Sequence, residues 1–294
     1  MAGRGRTVLI ALGITVGVLA FFFGSVFFFL AFLGDGGGLP GGQRVALIEI
    51  EGVIVSGDEI VRELKEHLDN ASVRAVVVRI NSPGGVVAPT QEIYQEIRKL
   101  RERGKPVVAS LGSVAASGGY YIAAACDKIY ANPGSLTGSI GVVMQLANLE
   151  GVLKKIGIEY VVVKAGRHKD IGNFSRAMTP EERKILQDLL DDVHSQFVNA
   201  VAEGRQLDRS EVLSFADGRI FSGQQAKELK MVDALGGLEE AIDAAAKLGG
   251  IIGRPKILYP RKRFSVFELM KNKLGLSSAP FSFPIFSTPL YLME

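Results

Sequence analysis

The feature that most restricts the fold of this sequence is an alternation of β-branched runs with helical patterns, which begins near Arg44. Val45–Ile50 and Ala75–Ile80 have the composition of strands, and the second is nearly continuous in the way of strands buried on both faces. Helical periodicity follows each run, over Asp58–Leu68 and Pro89–Arg103. Because such alternation connects strands through right-handed crossovers, the sequence predicts an α/β domain with a mostly parallel sheet.

The same pattern continues along the chain. We expect strands over Pro106–Ser110, Lys128–Ala131 and Glu159–Lys164, and helices over Ala116–Ala125 and Leu149–Ile156. Three later helix starts combine a capping side chain with an acid or amide three residues on: Thr179 with Glu182, Asp208 with Glu211, and Ser222 with Gln225. The first of them is predicted to open a long helix that ends near Glu203.

Residues 8–33 contain no charged side chain and consist mainly of phenylalanine, leucine and valine. A bilayer-spanning helix needs about 20 such residues, whereas the apolar core of a cleaved signal peptide has about 7–15. Arginines lie within residues 1–7 and an aspartate follows the run, so the positive-inside rule predicts a single-pass anchor with a cytoplasmic N-terminus. A long cleaved signal is the alternative. The glycine-rich residues 34–43 are predicted to be a flexible tether.

The remaining chain is predicted to be one domain over residues 44–260, followed by an apolar tail over residues 261–294 that contains several prolines. This tail is expected to pack on a neighbour, on the membrane surface or in a groove. The formal net charge is only +3, which does not indicate a nucleic-acid partner. The single cysteine, Cys126, excludes an internal disulfide and follows alanines that predict burial. No metal or organic cofactor is indicated.

Two glycine-containing clusters follow predicted strands. In Asn81–Gly85 (NSPGG), paired glycines allow backbone N–H groups to turn outward at the carboxyl end of a strand, as an oxyanion hole requires. In the second cluster, Ser117 precedes Gly118 at the start of a helix, where its hydroxyl and the next N–H meet the positive end of the helix dipole. An ordinary turn and simple N-capping are the alternatives.

A third cluster, Lys164–Asp170 (KAGRHKD), follows the predicted strand EYVVVK. A lysine ordinarily has a pKa of about 10.4, but desolvation can lower it far enough for the amine to take a proton from a serine. A solvated basic loop is the alternative. The rival base is His168, because the other two histidines, His67 and His194, lie within predicted helices.

Together these clusters resemble, in order and spacing, the signal peptide peptidase A family of the ClpP/crotonase superfamily. The resemblance includes NSPGG, SVAASGGYYIA, PGSLTGSIGV at Pro133–Val142, KAGRHKD with MTPEER, and GRIFSGQQAKELKMVDALGG at Gly218–Gly237. It covers residues 44–260 and implies a ClpP/crotonase-like fold. It also implies a membrane-anchored, extracytoplasmic, ring-forming protease that acts on cleaved signal peptides.

By that resemblance Ser117 is the nucleophile and Lys169 is the general base. Gly85 and Gly118 would supply the oxyanion-hole N–H groups, and Ser139 would orient the lysine. In short members of the family the serine and the lysine can come from different subunits. The alternatives are an acyl-CoA enzyme on the same scaffold, which would need glutamates rather than a serine nucleophile, and a non-catalytic membrane scaffold.

Overall fold

The computed structural model describes residues 14–26 and 43–260 and the backbone of residues 290–292. Contacts divide the chain into two compact units, Met1–Gly42 and Gln43–Glu294. In the first unit, residues 14–26 are helical (α1). The two ends of the predicted membrane span, residues 8–13 and 27–33, lie outside the described residues. No helix within the described ranges is both long enough and apolar enough to cross a bilayer.

The second unit alternates strands and helices. Its strands are β1 (Arg44–Glu51), β2 (Val73–Ser82), β3 (Gly84–Val86), β4 (Val107–Ala116), β5 (Lys128–Ala131), β6 (Leu136–Gly138), β7 (Ile220–Ser222), β8 (Ala234–Leu235), β9 (Lys256–Leu258) and β10 (Leu290–Leu292). Its helices are α2 (Asp58–Asp69), α3 (Val87–Glu102), α4 (Gly118–Ala124), α5 (Glu150–Ile156), α6 (Pro180–Arg205), α7 (Arg209–Leu213), α8 (Gly223–Glu228) and α9 (Leu238–Leu248).

Eight of these strands form one sheet in which the order β7-β6-β4-β2-β1-β9 is the main path and β5 and β8 branch from β4. Every pairing in it is parallel except that of β6 with β7. The predicted α/β class with a mostly parallel sheet is therefore confirmed. β3 and β10 form a separate antiparallel pair.

β4 pairs with two different strands along its length, and this pairing determines where the strand ends. Its first half, Val108–Leu111, pairs with β5, and its second half, Val114–Ala116, pairs with β6. The change falls around Gly112, where a Cβ atom would lie 3.0 Å from the side chain of Asn81. The strand thus extends past β5 and ends beside β6, at the residue before Ser117.

The alternating side chains of the central strands are buried on both faces. One face, including Ala46 and Val78, packs in a large core with α2, α3, α4 and α6. The other, including Leu47 and Val77, packs against the alanine-rich side of α9. Burial on both faces explains why β2 has a nearly continuous apolar sequence rather than an alternating one.

Most local predictions hold in the structure. The capping boxes at Thr179 and Ser222 are both formed and open α6 and α8. Cys126 is buried directly after α4, and burial raises the pKa of its thiol. The predicted strand Glu159–Lys164 is wrong, because residues 158–164 have no regular secondary structure. A β-branched run forms a strand only where another strand accepts its hydrogen bonds, and none lies beside this segment among the described residues.

Candidate active site

Ser117 lies at a strained turn between β4 and α4. Its backbone has φ 51° and ψ −118°, in a region that costs a residue other than glycine about 1–3 kcal/mol. The turn is held from both sides: Ser117 N donates to Gly138 O at 2.8 Å, and Tyr121 N donates to Ser117 O at 2.8 Å. Such strain persists only where the surrounding structure enforces it, and it is typical of sites that must present a side chain in one direction.

The hydroxyl of Ser117 is buried and unpaired. The residue is 0% exposed, and its Oγ has no hydrogen-bond partner among the described residues. Other buried serines nearby are paired: Ser135 Oγ donates to Gly112 O at 2.6 Å, and Ser82 Oγ accepts from Gly84 N at 3.1 Å. Leaving a buried hydroxyl unpaired costs about 1–3 kcal/mol. The Ser117 hydroxyl can therefore form a hydrogen bond with a group that the described residues do not provide.

Two closely packed glycines lie at this turn: there is no room for a Cβ at Gly85, and a Cβ at Gly118 would make tight contacts. A Cβ on Gly118 would lie 3.0 Å from Thr90 Oγ1 and 3.2 Å from Gly85 N. A Cβ on Gly85 would lie 2.0 Å from Ile54 O. The backbone amides of Gly85 and Gly118 are thus brought beside Ser117 because neither residue has a side chain.

The short strand β3 has one occupied edge and one edge that accepts an extended chain. Ile54 N donates to Gly84 O at 2.9 Å and Val86 N donates to Ile54 O at 2.7 Å. Since neighbouring residues of a strand direct their polar groups to opposite edges, those of Gly85 face away from Ile54. On that opposite side β10 runs antiparallel, with Tyr291 opposite Gly85. This edge of β3 is therefore paired with an extended segment of the chain itself.

Ser139 directly follows β6, the strand that ends next to Ser117. It is buried, has φ 50°, and donates from its backbone N to Arg219 O at 2.8 Å. It also lines a surface cavity of about 790 Å³, together with residues that include Asp191 and His194. The structure thus brings Ser139 to the same sheet edge as Ser117, since Gly138 is the residue that accepts from Ser117 N.

Lys169, unlike the buried Ser117, is exposed to solvent. It lies on an exposed loop, in a turn where its backbone N donates to Gly166 O at 3.2 Å. Because Ser117 Oγ has no partner within the described residues, Lys169 of the same chain does not hydrogen-bond it. Within the described part of one chain, the serine and the two glycines therefore lie together, while Lys169 is exposed and makes no hydrogen bond to the serine.

A model of peptidase family S49 matches residues 99–251, more than half of the chain. The chain belongs to peptidase family S49. It is 45% identical over 250 residues to slr0021 of Synechocystis, which carries a provisional protease name, covering 81% of this chain and 90% of that one. It is 35% identical to Protease 4 of Haemophilus influenzae, covering 70% of this chain but only 35% of that one. It is 31% identical to the chloroplast serine protease SPPA of Arabidopsis thaliana, covering 73% and 34%.

Membership of family S49 makes this chain a serine peptidase, and the matched region contains Ser117, Ser139 and Lys169. It begins at residue 99, so Gly85 and β3 precede it. The chain spans about a third of the length of the Protease 4 relative.

None of the three histidines in this S49 chain makes a hydrogen bond to the Ser117 hydroxyl. His67 lies 3.7 Å from Glu63 on α2, and His194 Nε2 lies 2.9 Å from Ala216 O. His168 Nε2 lies 3.6 Å from Glu181, and its Nδ1 is buried without a partner among the described residues. A serine–histidine pair within one chain therefore finds no support in the geometry.

Sequence reasoning did not identify a group of charged residues behind the lysine loop. This group, which we call the loop clamp, consists of Lys164, Asp170, Arg176 and Glu182. Hydrogen bonds from Arg176 and Lys164 hold the pKa of Asp170 well below its usual range, and Arg176 with the Thr179 amide lowers the pKa of Glu182 to about 2. The capping box signalled Glu182 as a helix-start residue, but nothing in the sequence indicated its arginine partner.

Proposed function

We propose that this protein is a membrane-anchored endopeptidase that cleaves signal peptides after their release, with Ser117 as nucleophile and Lys169 as general base. The observation that carries the proposal is the buried, unpaired Ser117 hydroxyl at a strained turn beside the amides of Gly85 and Gly118. A buried hydroxyl that keeps its hydrogen-bonding capacity unused is suited to a reaction partner rather than to stability.

In the proposed reaction a peptide lies extended along β3, and its carbonyl points to the amides of Gly85 and Gly118. The uncharged amine of Lys169 takes the proton of Ser117 as Oγ bonds to the carbonyl carbon. The two amides stabilise the oxyanion, and the protonated amine then gives its proton to the leaving nitrogen as the peptide bond breaks. The same amine then takes a proton from water as the water oxygen bonds to the acyl carbon, and it returns that proton to Ser117 Oγ as the ester bond breaks. Ser139 would accept or donate a hydrogen bond that orients the lysine.

We further propose that the lysine comes from a neighbouring copy in a ring-shaped assembly. Two observations support this: the Ser117 hydroxyl has no partner in the described part of its own chain, and the segment that leads to Lys169 exposes Val161 and Val163, the latter at 95%. Exposed β-branched side chains on an unpaired segment are typical of a surface that another protein covers. If a second copy covered this segment, Lys169 of the first copy would lie close to Ser117 of the second.

The proposed location is the outer face of the cell membrane, with residues 8–33 as a single-pass anchor and the N-terminus in the cytoplasm. The support is the uncharged run of 26 residues from Val8 to Leu33, together with the arginines before it. Signal peptides are the proposed substrates because a relative from Enterococcus faecium, 34% identical over 218 residues, carries a provisional signal peptide peptidase name. Cleaved signal peptides remain in the bilayer, beside which such an anchor would hold the protease.

The test is product analysis by mass spectrometry on a panel of synthetic signal peptides. Ser117→Ala and Lys169→Ala should each abolish cleavage while circular dichroism and the assembly state remain those of the wild type. His168→Ala should retain cleavage. Full activity in Lys169→Ala together with loss in His168→Ala would show that the base is the histidine. Retained cleavage in Ser117→Ala would reject the nucleophile, and a serine-reactive probe that fails to label the wild type would favour a non-catalytic scaffold.

The pH profile gives a second check on the base. Only an uncharged amine accepts a proton, so kcat/KM should rise by about tenfold per pH unit along the acidic limb and reach its maximum at alkaline pH. A profile that stays flat down to pH 5 would exclude a lysine base.

A further inference from the structure

The loop that carries Lys169 has little regular structure to hold it. Residues 165–179 contain neither helix nor strand, and the local backbone bonds are turns such as Ile171 N to His168 O at 3.1 Å. A catalytic side chain on such a loop needs another source of rigidity, because a displacement of about 1 Å can cost about a hundredfold in rate.

The loop clamp supplies connections that the backbone lacks. Lys164 donates to the carboxylate of Asp170 and, at 2.9 Å, to Arg167 O, which closes the loop across its base. Arg176 Nε donates to the other oxygen of Asp170 at 3.0 Å, and Arg176 Nη2 reaches Asp170 O at 3.4 Å. The residue next to Lys169 is therefore held through both its side chain and its backbone.

The other end of the clamp is attached to a long helix. Arg176 Nη1 donates to Glu182 Oε2 at 2.8 Å, and its Nη2 donates to Glu182 Oε1. The same carboxylate accepts from Thr179 N at 2.9 Å in the capping box of α6. The carboxylates are well covered, with side-chain exposures of 10% for Asp170 and 5% for Glu182, so these bonds are less screened than surface ion pairs.

We propose that Arg176 is a positioning residue for peptide hydrolysis: it fixes the loop so that Lys169 is presented at one place and angle. The proposal rests on the proposed role of Lys169 as general base. Arginine suits this position because its planar guanidinium can bond two carboxylates at once, Asp170 on the loop and Glu182 on the helix. A lysine has the charge but a single donor atom, and cannot bridge both in the same geometry.

The first test compares Arg176→Gln with Arg167→Gln. Arg167 lies on the same loop and carries the same charge, but its side chain is 79% exposed and its nearest acid, Glu181, is 3.7 Å away. Arg176→Gln should lower kcat about tenfold to a hundredfold with KM nearly unchanged, and Arg176→Lys should recover only part of the loss. Arg167→Gln should stay within about twofold of the wild type. Equal losses in the two glutamine variants would show a simple charge effect and overturn the proposal.

Asp170→Asn tests the same connection from the loop side and leaves the bond between Arg176 and Glu182 in place. It should lower kcat in the same way even if Arg176→Gln folds poorly. A wild-type kcat in a folded Asp170→Asn protein would contradict the proposal.

The decisive readout uses mixed assemblies of Ser117→Ala chains, which supply the lysine, and Lys169→Ala chains, which supply the serine. Adding Arg176→Gln to the lysine donor should lower activity tenfold or more, while adding it to the serine donor should change activity by less than twofold. Equal losses in both arms would mean that Arg176 supports the fold generally, and the proposal would be wrong. If Lys169→Ala alone were fully active, the proposed base itself would fail, a result that is distinguishable from failure of the clamp.

Discussion

The two halves of the candidate site are built in opposite ways. The serine half-site, residues 84–86 with Ser117 and Gly118, is buried, strained and closely packed, so that a single added carbon would collide with its backbone. The lysine half-site, residues 158–176, has no strand or helix, exposes its valines and is held by ion pairs. The serine half-site is packed within a single chain. The lysine half-site instead exposes apolar side chains and the charged Lys169 to solvent.

This difference has a physical explanation if each half must meet a different partner. Oxyanion stabilisation depends on donors that are fixed before the reaction, which favours a rigid, dry environment. A general base that reaches a serine on another copy must lie on the surface before assembly, and there ion pairs rather than core packing are available to hold it. The comparison therefore predicts that lesions in the serine half-site act within the mutated chain, whereas lesions in the lysine half-site act on its neighbour.

The largest effect should come from combining the two inactive variants. Ser117→Ala and Lys169→Ala assemblies should each be inactive, while co-expressed chains should recover about a quarter of wild-type activity, the share of interfaces at which an intact serine meets an intact lysine in a symmetric ring. Activity of purified mixed assemblies on a fluorogenic peptide measures this. Recovery would not occur if both residues act within one chain, and the comparison between the half-sites would then fail.

A tenfold to hundredfold effect is expected from Gly118→Ala. The added Cβ would lie 3.0 Å from Thr90 Oγ1 and 3.2 Å from Gly85 N, so these neighbours must shift by a few tenths of an ångström, and kcat should fall about tenfold to a hundredfold. Gly134→Ala is the matched control, because a Cβ there has nothing within 4 Å. Similar kcat values for the two variants would show that catalysis does not depend on the close packing of Gly118 against Thr90 and Gly85.

The serine half-site was largely predictable because its signals are local. NSPGG and ASGG each place glycines directly after a strand, and the structure puts Gly85, Gly118 and Ser117 together at one sheet edge. What the sequence did not show is the length of β4, predicted to end at Ser110 but continuing to Ala116, the short strand β6 that pairs with it, and the short strand β3. Those features depend on pairing with distant residues rather than on local propensity.

The structure of the lysine half-site could not be predicted from local sequence patterns. The run EYVVVK has the propensity of a strand, yet among the described residues no other strand lies beside it and it remains irregular. The clamp between Asp170, Arg176 and Glu182 joins a loop to a helix mainly through side chains, and charged residues in a loop predict solvation as readily as pairing. Whether a lysine reaches a serine in another copy cannot be read from one sequence at all.

A several-fold effect is expected from the tail, whose residues 261–289 lie outside the described ones. Its segment β10 lies along the β3 edge where a peptide substrate is proposed to bind, so it should compete with substrate as a tethered ligand. Deleting residues 265–294 should lower KM about twofold to tenfold with kcat nearly unchanged, as measured by initial rates. Unchanged KM and assembly after deletion would show that β10 does not occupy the substrate position.

The smallest predicted effect is on stability at acid pH, which tests the loop clamp independently of catalytic activity. The pKa of Glu182 is lowered from 4.5 to about 2 when the chain folds, mainly by its bonds to Arg176 and Thr179. A lowered carboxylate pKa contributes stability that is fully present above pH 4.5 and is lost as the pH falls toward 2.

Between pH 4.5 and pH 2 the Tm of the wild type should therefore fall by about 3 °C more than the Tm of Glu182→Gln. Glu181→Gln, which changes an exposed acid on the same turn of α6, should follow the wild-type slope. Parallel slopes for wild type and Glu182→Gln in scanning calorimetry would mean that the ion pair with Arg176 adds nothing to stability. The rigidity of the lysine half-site would then need another source.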